Sequence, residues 1–203
     1  MKNLNSLFYI ILFVNSTGLS QGTLVFDQES SNDENYLGGA APVQFYGTIG
    51  QSFTPSLSTV GFFRVKLYDI APNNTIGATL VINLRSNAIN GPVMGTTFPV
   101  VLADGFRNSA NFFLPTAVSV VPGTKYFFQL VVQSGDNWGA YLRSDSLGDV
   151  NYAGGSFYGG LCEFPANDMW FREGVPEPTT ASLVLIGISS MVAFRRTRIV
   201  RRG

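Results

Sequence analysis

Three stretches of the chain alternate apolar and polar residues with a period of two. Over 63–70, Phe63, Val65 and Leu67 alternate with Arg64, Lys66 and Tyr68, which predicts a strand with one face buried and the other wet. Leu80, Ile82 and Leu84 alternate in the same way with Thr79, Val81, Asn83 and Arg85. Tyr126, Phe128, Leu130 and Val132 alternate with Phe127, Gln129, Val131 and Gln133, directly after a turn at Pro122, Gly123 and Thr124. Shorter apolar runs at 23–26, 50–53, 98–102, 111–114, 138–142 and 169–172 predict weaker strands. Turn-forming residues separate most of them, at Asn73-Asn74, Asn90-Gly91-Pro92, Asp104-Gly105 and Gly135-Asp136-Asn137. About eight to ten short strands at this spacing predict an all-β domain, a two-sheet antiparallel β-sandwich closed as a jelly roll. No helix is predicted within it.

The two ends break the pattern. Residues 1–20 carry Lys2, an apolar run over 7–14 and a polar close with the small residues Gly18 and Ser20. This is the organisation of a secretory signal peptide, a signal helix with cleavage expected after Ser20. At the other end, residues 179–194 are uncharged, and Leu183, Val184, Leu185, Ile186, Ile188, Met191, Val192 and Phe194 lie on every side of a helical wheel. An all-round apolar helix is buried in protein or lipid. Sixteen residues at about 1.5 Å each reach roughly 24 Å, and arginines extending toward the headgroups make up the rest of a span. Arg195, Arg196, Arg198, Arg201 and Arg202 follow directly, and positive charge on that flank keeps it cytoplasmic and leaves the preceding domain outside. The domains expected are therefore a signal peptide at 1–20, a β-sandwich at 21–174 and a C-terminal tail at 175–203, with its transmembrane helix at 179–194 and its arginine-rich end at 195–203.

The tail opens with Val175-Pro176-Glu177-Pro178. Two prolines one residue apart hold the chain extended ahead of a helix. That order of parts, a Pro-Glu-Pro element, a short apolar helix and an arginine-rich end, resembles the PEP-CTERM protein-sorting signal of bacteria. The resemblance implies that a membrane-embedded exosortase recognises Pro176, Glu177 and Pro178 with the flanking Arg195 and Arg196, removes the tail, and passes the protein to the cell surface or exterior. The membrane is thus an expected transient partner through the C-terminal helix. A second, looser resemblance covers much of 44–173. Gln51-Ser52-Phe53-Thr54-Pro55, Pro122-Gly123-Thr124-Lys125-Tyr126, Tyr152-Ala153-Gly154-Gly155 and Asp168-Met169-Trp170-Phe171-Arg172 are similar to exported jelly-roll-like domains that precede such tails, and imply a fold without a defined activity.

Charge and chemistry narrow the function further. Thirteen basic residues, less five in the tail and Lys2, leave seven in the domain; thirteen acids, less Glu177, leave twelve. A net charge of about −5 argues against nucleic acid as a partner. The chain has no histidine, which excludes serine-histidine and cysteine-histidine catalysis, and with a single cysteine it cannot fill a usual zinc site. Cys162 has no intrachain partner, and a buried, small apolar role is expected of it. No glycine-rich loop with a following lysine marks a nucleotide site.

A carboxylate pair hydrolyses glycosides without histidine, and the domain offers Asp27, Glu29, Asp33, Glu34, Asp136, Asp145, Asp149, Glu163, Asp168 and Glu173. Most of these sit in glycine-, asparagine- and serine-rich stretches, where solvated loop acids are the plainer reading, and the domain is expected to be non-catalytic. Asp27 near the first strand and Asp168 near the last are the calcium candidates, should the termini meet; no other cofactor is expected. Between Trp138 and Trp170, aromatic residues interleave with glycines. Trp138, Tyr141 and Trp170 belong with strands and the core, while Tyr152 and Tyr158 are the candidates for an exposed platform that stacks sugar rings. The first expectation is a structural or adhesive surface protein, and the second is a carbohydrate-binding module for extracellular polysaccharide.

Overall fold

The computed structural model describes residues 23–144, 148 and 151–177. The expected signal peptide at 1–20, Pro178, the apolar segment 179–194, Arg195 and Arg196 all lie outside the described residues, as do Asp145 and Asp149. Thr23–Glu177 form one compact unit. In chain order its strands are β1 (Leu24–Glu29), β2 (Gly39–Pro42), β3 (Ile49–Phe53), β4 (Thr59–Asp69), β5 (Ala78–Ser86), β6 (Val93–Thr96) and β7 (Val100–Leu102). Then follow β8 (Arg107–Ser119), β9 (Tyr126–Gly135), β10 (Trp138–Ser144), β11 (Phe157–Gly159), β12 (Cys162–Phe164), β13 (Asn167–Met169) and β14 (Phe171–Pro176). One helical turn, α1 (Val43–Tyr46), precedes β3.

The all-β class and its two antiparallel sheets are as the alternation predicts. The first sheet runs β1-β14-β4-β10-β13, with β8 on the far side of β4 and β2 beside β10. The second runs β12-β11-β3-β9-β5-β6, with β7 beside β5. Alternate residues of the long strands face the space between the sheets: Phe63, Val65 and Leu67 from β4, Leu80, Ile82 and Leu84 from β5, and Phe128 and Leu130 from β9 are all buried in one cluster. At its centre, Phe63 lies 5.0 Å from Phe128 and 5.8 Å from Phe53, and Phe128 lies 5.3 Å from Phe171. These rings join β4 and β14 of one sheet to β3 and β9 of the other. Tilted and edge-on pairs of this kind contribute about 0.5–1.5 kcal/mol each beyond the area they bury.

The first sheet is closed at Trp170. Strands β4 and β10 pair directly at Leu67, Tyr68 and Asp69 and then part. Trp170 fills the fork: its N–H donates to the Tyr141 carbonyl at 2.8 Å, and its own carbonyl accepts from Lys66 at 3.3 Å. The chain bends at this residue, so that β13 zips onto β10 and β14 onto β4. Ser30 holds the corner, its hydroxyl donating to the Met169 carbonyl at 2.7 Å and accepting from the Phe171 N–H at 3.0 Å. On the β13 side the Gln51 amide of β3 reaches across, donating to Asp168 at 2.7 Å and accepting from the Met169 N–H at 2.8 Å. Where β14 meets β1, Gly174 leaves no room for a side chain: a Cβ there would lie 1.9 Å from the Val25 carbonyl oxygen.

Four differences from the sequence reading have physical causes. Strands β2, β6, β11 and β12 are three or four residues long and too short to carry a periodic signal; they form because a partner strand is already in place. The run at 169–172 is not one strand but two arms broken at Trp170. The outer face of β4 is not wet, because residues 30–38 cover it. Trp170 Nε1 donates to the Asp33 carbonyl at 2.9 Å, and Lys66, only 3% exposed, donates to the Glu34 carbonyl. Lys66 also lies 5.7 Å from the Tyr141 ring and 6.0 Å from the Trp170 ring. Burial lowers its pKa, while the charges of Glu34 and Asp33 oppose the shift. Finally, α1 is a helical turn where none is expected, without a side-chain cap and closed by Gly47 at φ 69°.

Replacing Trp170 by alanine keeps the backbone bonds in the fork but removes the indole packed beneath residues 30–38 and its bond to the Asp33 carbonyl. Large-to-small changes of this kind cost about 3–5 kcal/mol. Urea unfolding of Trp170→Ala is expected to show that loss, and a cost below about 1 kcal/mol would contradict the role given to the indole.

Candidate functional site

The aromatic segment between Trp138 and Trp170 divides into two groups once folded. Trp138, Tyr141 and Trp170 are buried at 0%, 2% and 0% exposure, but only Trp138 joins the core between the sheets, whereas Tyr141 and Trp170 lie on the outer face with Lys66. The two tyrosines proposed as a platform part company. Tyr152 turns inward, its ring edge-on to Phe171 at 5.3 Å. Its hydroxyl donates to Gln28 Oε1 at 2.9 Å and accepts from the Thr54 N–H at 3.2 Å. It is partly buried, with ring and hydroxyl both engaged within the fold. Burial raises its pKa to about 12, the Thr54 N–H pulls the other way, and the charges of Glu173, Asp27 and Asp168 add to the rise.

That tyrosine stands in a polar seam at one end of the sandwich. Strand β1 carries a bulge between Phe26 and Gln28 opposite β14, and bulges re-aim side chains. Asp27 is the extra residue. Its carboxylate accepts from Ser56 N at 2.8 Å, Leu57 N at 3.0 Å, Gln28 Nε2 at 3.2 Å and the Ser56 hydroxyl. These four bonds occupy its lone pairs and tie β1 to the turn before β4. Burial pushes the Asp27 pKa up, but the bonds from Leu57, Ser56 and Gln28 outweigh it and hold the carboxyl below its usual value. Asp168 is 1% exposed and accepts from Gln51 and from the Tyr152 N–H at 2.7 Å. The calcium candidates therefore lie at the same seam, near Tyr152, and each already serves as an acceptor for protein donors. No cluster of three or more Asp, Glu, Cys or His side chains arranged for a metal occurs among the described residues.

Glu173 is the unexpected member. It faces inward from β14 at 0% exposure, and neither carboxyl oxygen has a hydrogen-bond partner among the described residues. Burial, followed by the neighbouring charge of Asp27, pushes its pKa up to about 9. A carboxyl raised beside one held low is the signature of an acid and base pair. Here the raised member, Glu173, is sealed from solvent at 0% exposure. It is a neutral filler of the seam, as strand position 173 dictates.

Tyr158 lies elsewhere. It stands half-exposed on the outer face of the second sheet, edge-on to Phe127 at 5.5 Å and 77°. Burial raises the pKa of its hydroxyl, with the charge of Glu163 as the next cause. A concavity of about 180 Å³ opens beside it, lined by residues 87–90, Phe127, Tyr158 and Leu161. The loop between β5 and β6 folds over the sheet to make one wall. Ile89 is 3% exposed and packs over Gly50, where a Cβ would come within 2.6 Å of its Cδ1. Asn87 adopts φ 67°, a left-handed conformation that asparagine tolerates better than most residues. The opposite wall is the β11–β12 hairpin, where Gly159 and Gly160 precede Leu161.

Asn87, Asn90, Phe127 and Leu161 are absent from the sequence reading of the site. Only the turn at Asn90-Gly91-Pro92 was legible; a glycine pair between two short aromatic runs was the available signal for the hairpin. Cys162 departs from expectation, since it is exposed on the edge strand β12 rather than buried. Comparison with models of protein families finds no match, and comparison with curated proteins finds no significant match.

The sealed carboxyl of Glu173 makes stability depend on pH. Its folded pKa of about 9 exceeds the ordinary 4.5. Between those values the folded chain keeps a proton that the unfolded chain has lost, so stability falls as pH rises, by at most about 1.4 kcal/mol per pH unit. Glu173→Gln is expected to match the parent near pH 4 and exceed it progressively toward pH 8 in thermal unfolding. A parallel pH dependence in both proteins would refute the assignment.

Proposed function

We propose that the chain is a non-catalytic exported protein whose jelly-roll-like sandwich is delivered to the cell surface or matrix by exosortase-type sorting, for a structural or adhesive role. The observation that carries this reading is where the compact unit stops. Strand β14 ends at Pro176, opposite Leu24, and the Glu177 N–H donates to the Thr23 carbonyl at 2.8 Å. Pro176 and Glu177 are exposed. The buried core cluster is drawn from within Thr23–Glu177, and on this reading the domain stays folded once the terminal segments are processed. The Pro-Glu-Pro element begins as the last strand ends, which offers it to a processing enzyme at the domain's border.

A jelly-roll-like closure is supported by the pairing of strands distant in sequence, such as β3 with β9 and β11. The sealed Glu173 and the fully bonded Asp27 weigh against a hydrolase. A second reading, a carbohydrate-binding module, is favoured by one observation, the half-exposed Tyr158 beside a concavity.

Mass spectrometry of the exported product is expected to find neither residues 1–20 nor the arginine-rich end. A chain bearing Arg195 to Arg202 at the surface would overturn the sorting reading. Deleting 179–203 is expected to abolish surface delivery while moving the unfolding free energy of the domain by less than about 0.5 kcal/mol.

A further inference from the structure

The geometry points to the concavity beside Tyr158 as the seat for one neutral sugar ring, a terminal or branching unit of a polysaccharide held between the Tyr158 ring and the amides of Asn87 and Asn90. This inference rests on the carbohydrate-binding reading and specifies its site and ligand.

Three features carry it. First, the wall that presents the amides is fixed in advance. Within the loop, Ala88 N donates to the Ser86 carbonyl at 2.8 Å and Gly91 N to the Ala88 carbonyl at 2.9 Å, while Ser86 N donates to the Pro92 carbonyl at 3.1 Å. Arg85 Nη1 adds a bond to the Gly91 carbonyl at 2.5 Å, and Ile89 is seated over Gly50. A loop already ordered loses little freedom when a ligand arrives. Yet the side chains of Asn87 and Asn90, both exposed, make no hydrogen bond with any described residue. Their amides supply donors and acceptors together, the pairing that a ring hydroxyl needs.

Second, the opposite side is apolar and aromatic. Tyr158 and Phe127 stand nearly perpendicular, and Leu161, 65% exposed, forms a lip. A pyranose has one apolar C–H face and a rim of hydroxyls, which matches an aromatic wall facing two amides. The concavity, at about 180 Å³, is smaller than the roughly 300–1,000 Å³ of sites for drug-sized ligands. It accepts one ring and leaves no room for a run of several.

Third, the charges select against acidic sugars. Every residue lining the concavity is uncharged. A neighbouring acid, Glu163, pairs with Tyr158 across β11 and β12, and its charge reaches the Tyr158 hydroxyl. A neighbouring cation, Arg85, is engaged by Gln129 Oε1 at 2.8 Å and by the Gly91 carbonyl. A uronate would meet a like charge without a free counter-ion, so neutral rings are preferred.

The test is a titration of the full chain with neutral hexose oligosaccharides and, separately, with oligosaccharides made only of uronates. Neutral chains are expected to bind and uronates not to. Tyr158→Ala and Asn90→Ala are each expected to weaken binding at least 10-fold, and Tyr158→Phe to stay within about threefold of the parent, since the ring is retained. Asn90 is exposed and unbonded, so its variant separates lost contact from lost folding. Binding of neutral chains that survives both Tyr158→Ala and Asn90→Ala would overturn this site while leaving the carbohydrate-binding reading in place. Preference for uronates would overturn the ligand class, and failure to bind either set would overturn site and reading together.

Discussion

The contact between phenylalanines across the gap between the sheets is what the rest of the molecule depends on. Phe63 and Phe171 come from one sheet, Phe53 and Phe128 from the other, and all four are buried completely. The chain has one cysteine, so no intrachain disulfide shares the task. A sandwich of this size must then hold its two layers together chiefly by apolar burial and ring packing, with the Gln51 amide bonding across between them. The strand ladders set where each ring points, but the rings decide that the ladders stack.

That stacking needs the sheets to close at their edges, and Trp170 solves the problem in the first sheet. By entering the fork between β4 and β10, it lets one segment serve both strands and turns β13 toward β3. The corner concentrates polar contacts: Ser30 straddles it, Gln51 reaches it from the other sheet, and Asp168 binds both Gln51 and Tyr152. Polar groups buried in this way stabilise only when bonded. Most are bonded here. Glu173, which is not, stays neutral instead, the cheaper state for a carboxyl without partners.

The same accounting separates structural from functional polar residues. Asp27, Asp168 and Tyr152 look available in the sequence, and each is used inside the fold. Asn87 and Asn90 look like ordinary turn residues, and their amides are left free beside an aromatic wall. The face that carries Tyr158 differs from the outer face of the first sheet, which residues 30–38 cover and seal with Lys66, Trp170 and Tyr141 beneath. The second sheet keeps the half-open Tyr158 ring beside the unbonded amides of Asn87 and Asn90, and the proposed adhesive role has its most specific expression there.

The strand alternation in β4, β5 and β9 determined the fold class and the inward residues, because a period of two leaves each side chain only two directions. Composition determined the chemistry that is missing, since a chain without histidine has no imidazole in any fold. The order of parts at the ends is the basis of the proposed route of export, a reading that rests on local hydrophobicity and charge. Tertiary structure alone decided the rest. The corner at Trp170, the burial of Lys66, the exposure of Cys162 and the opposite fates of Tyr152 and Tyr158 all depend on what another part of the chain lays against them. A residue's type fixes what it is able to bond; only the packed neighbours fix whether that capacity is spent inside the protein or left for a ligand.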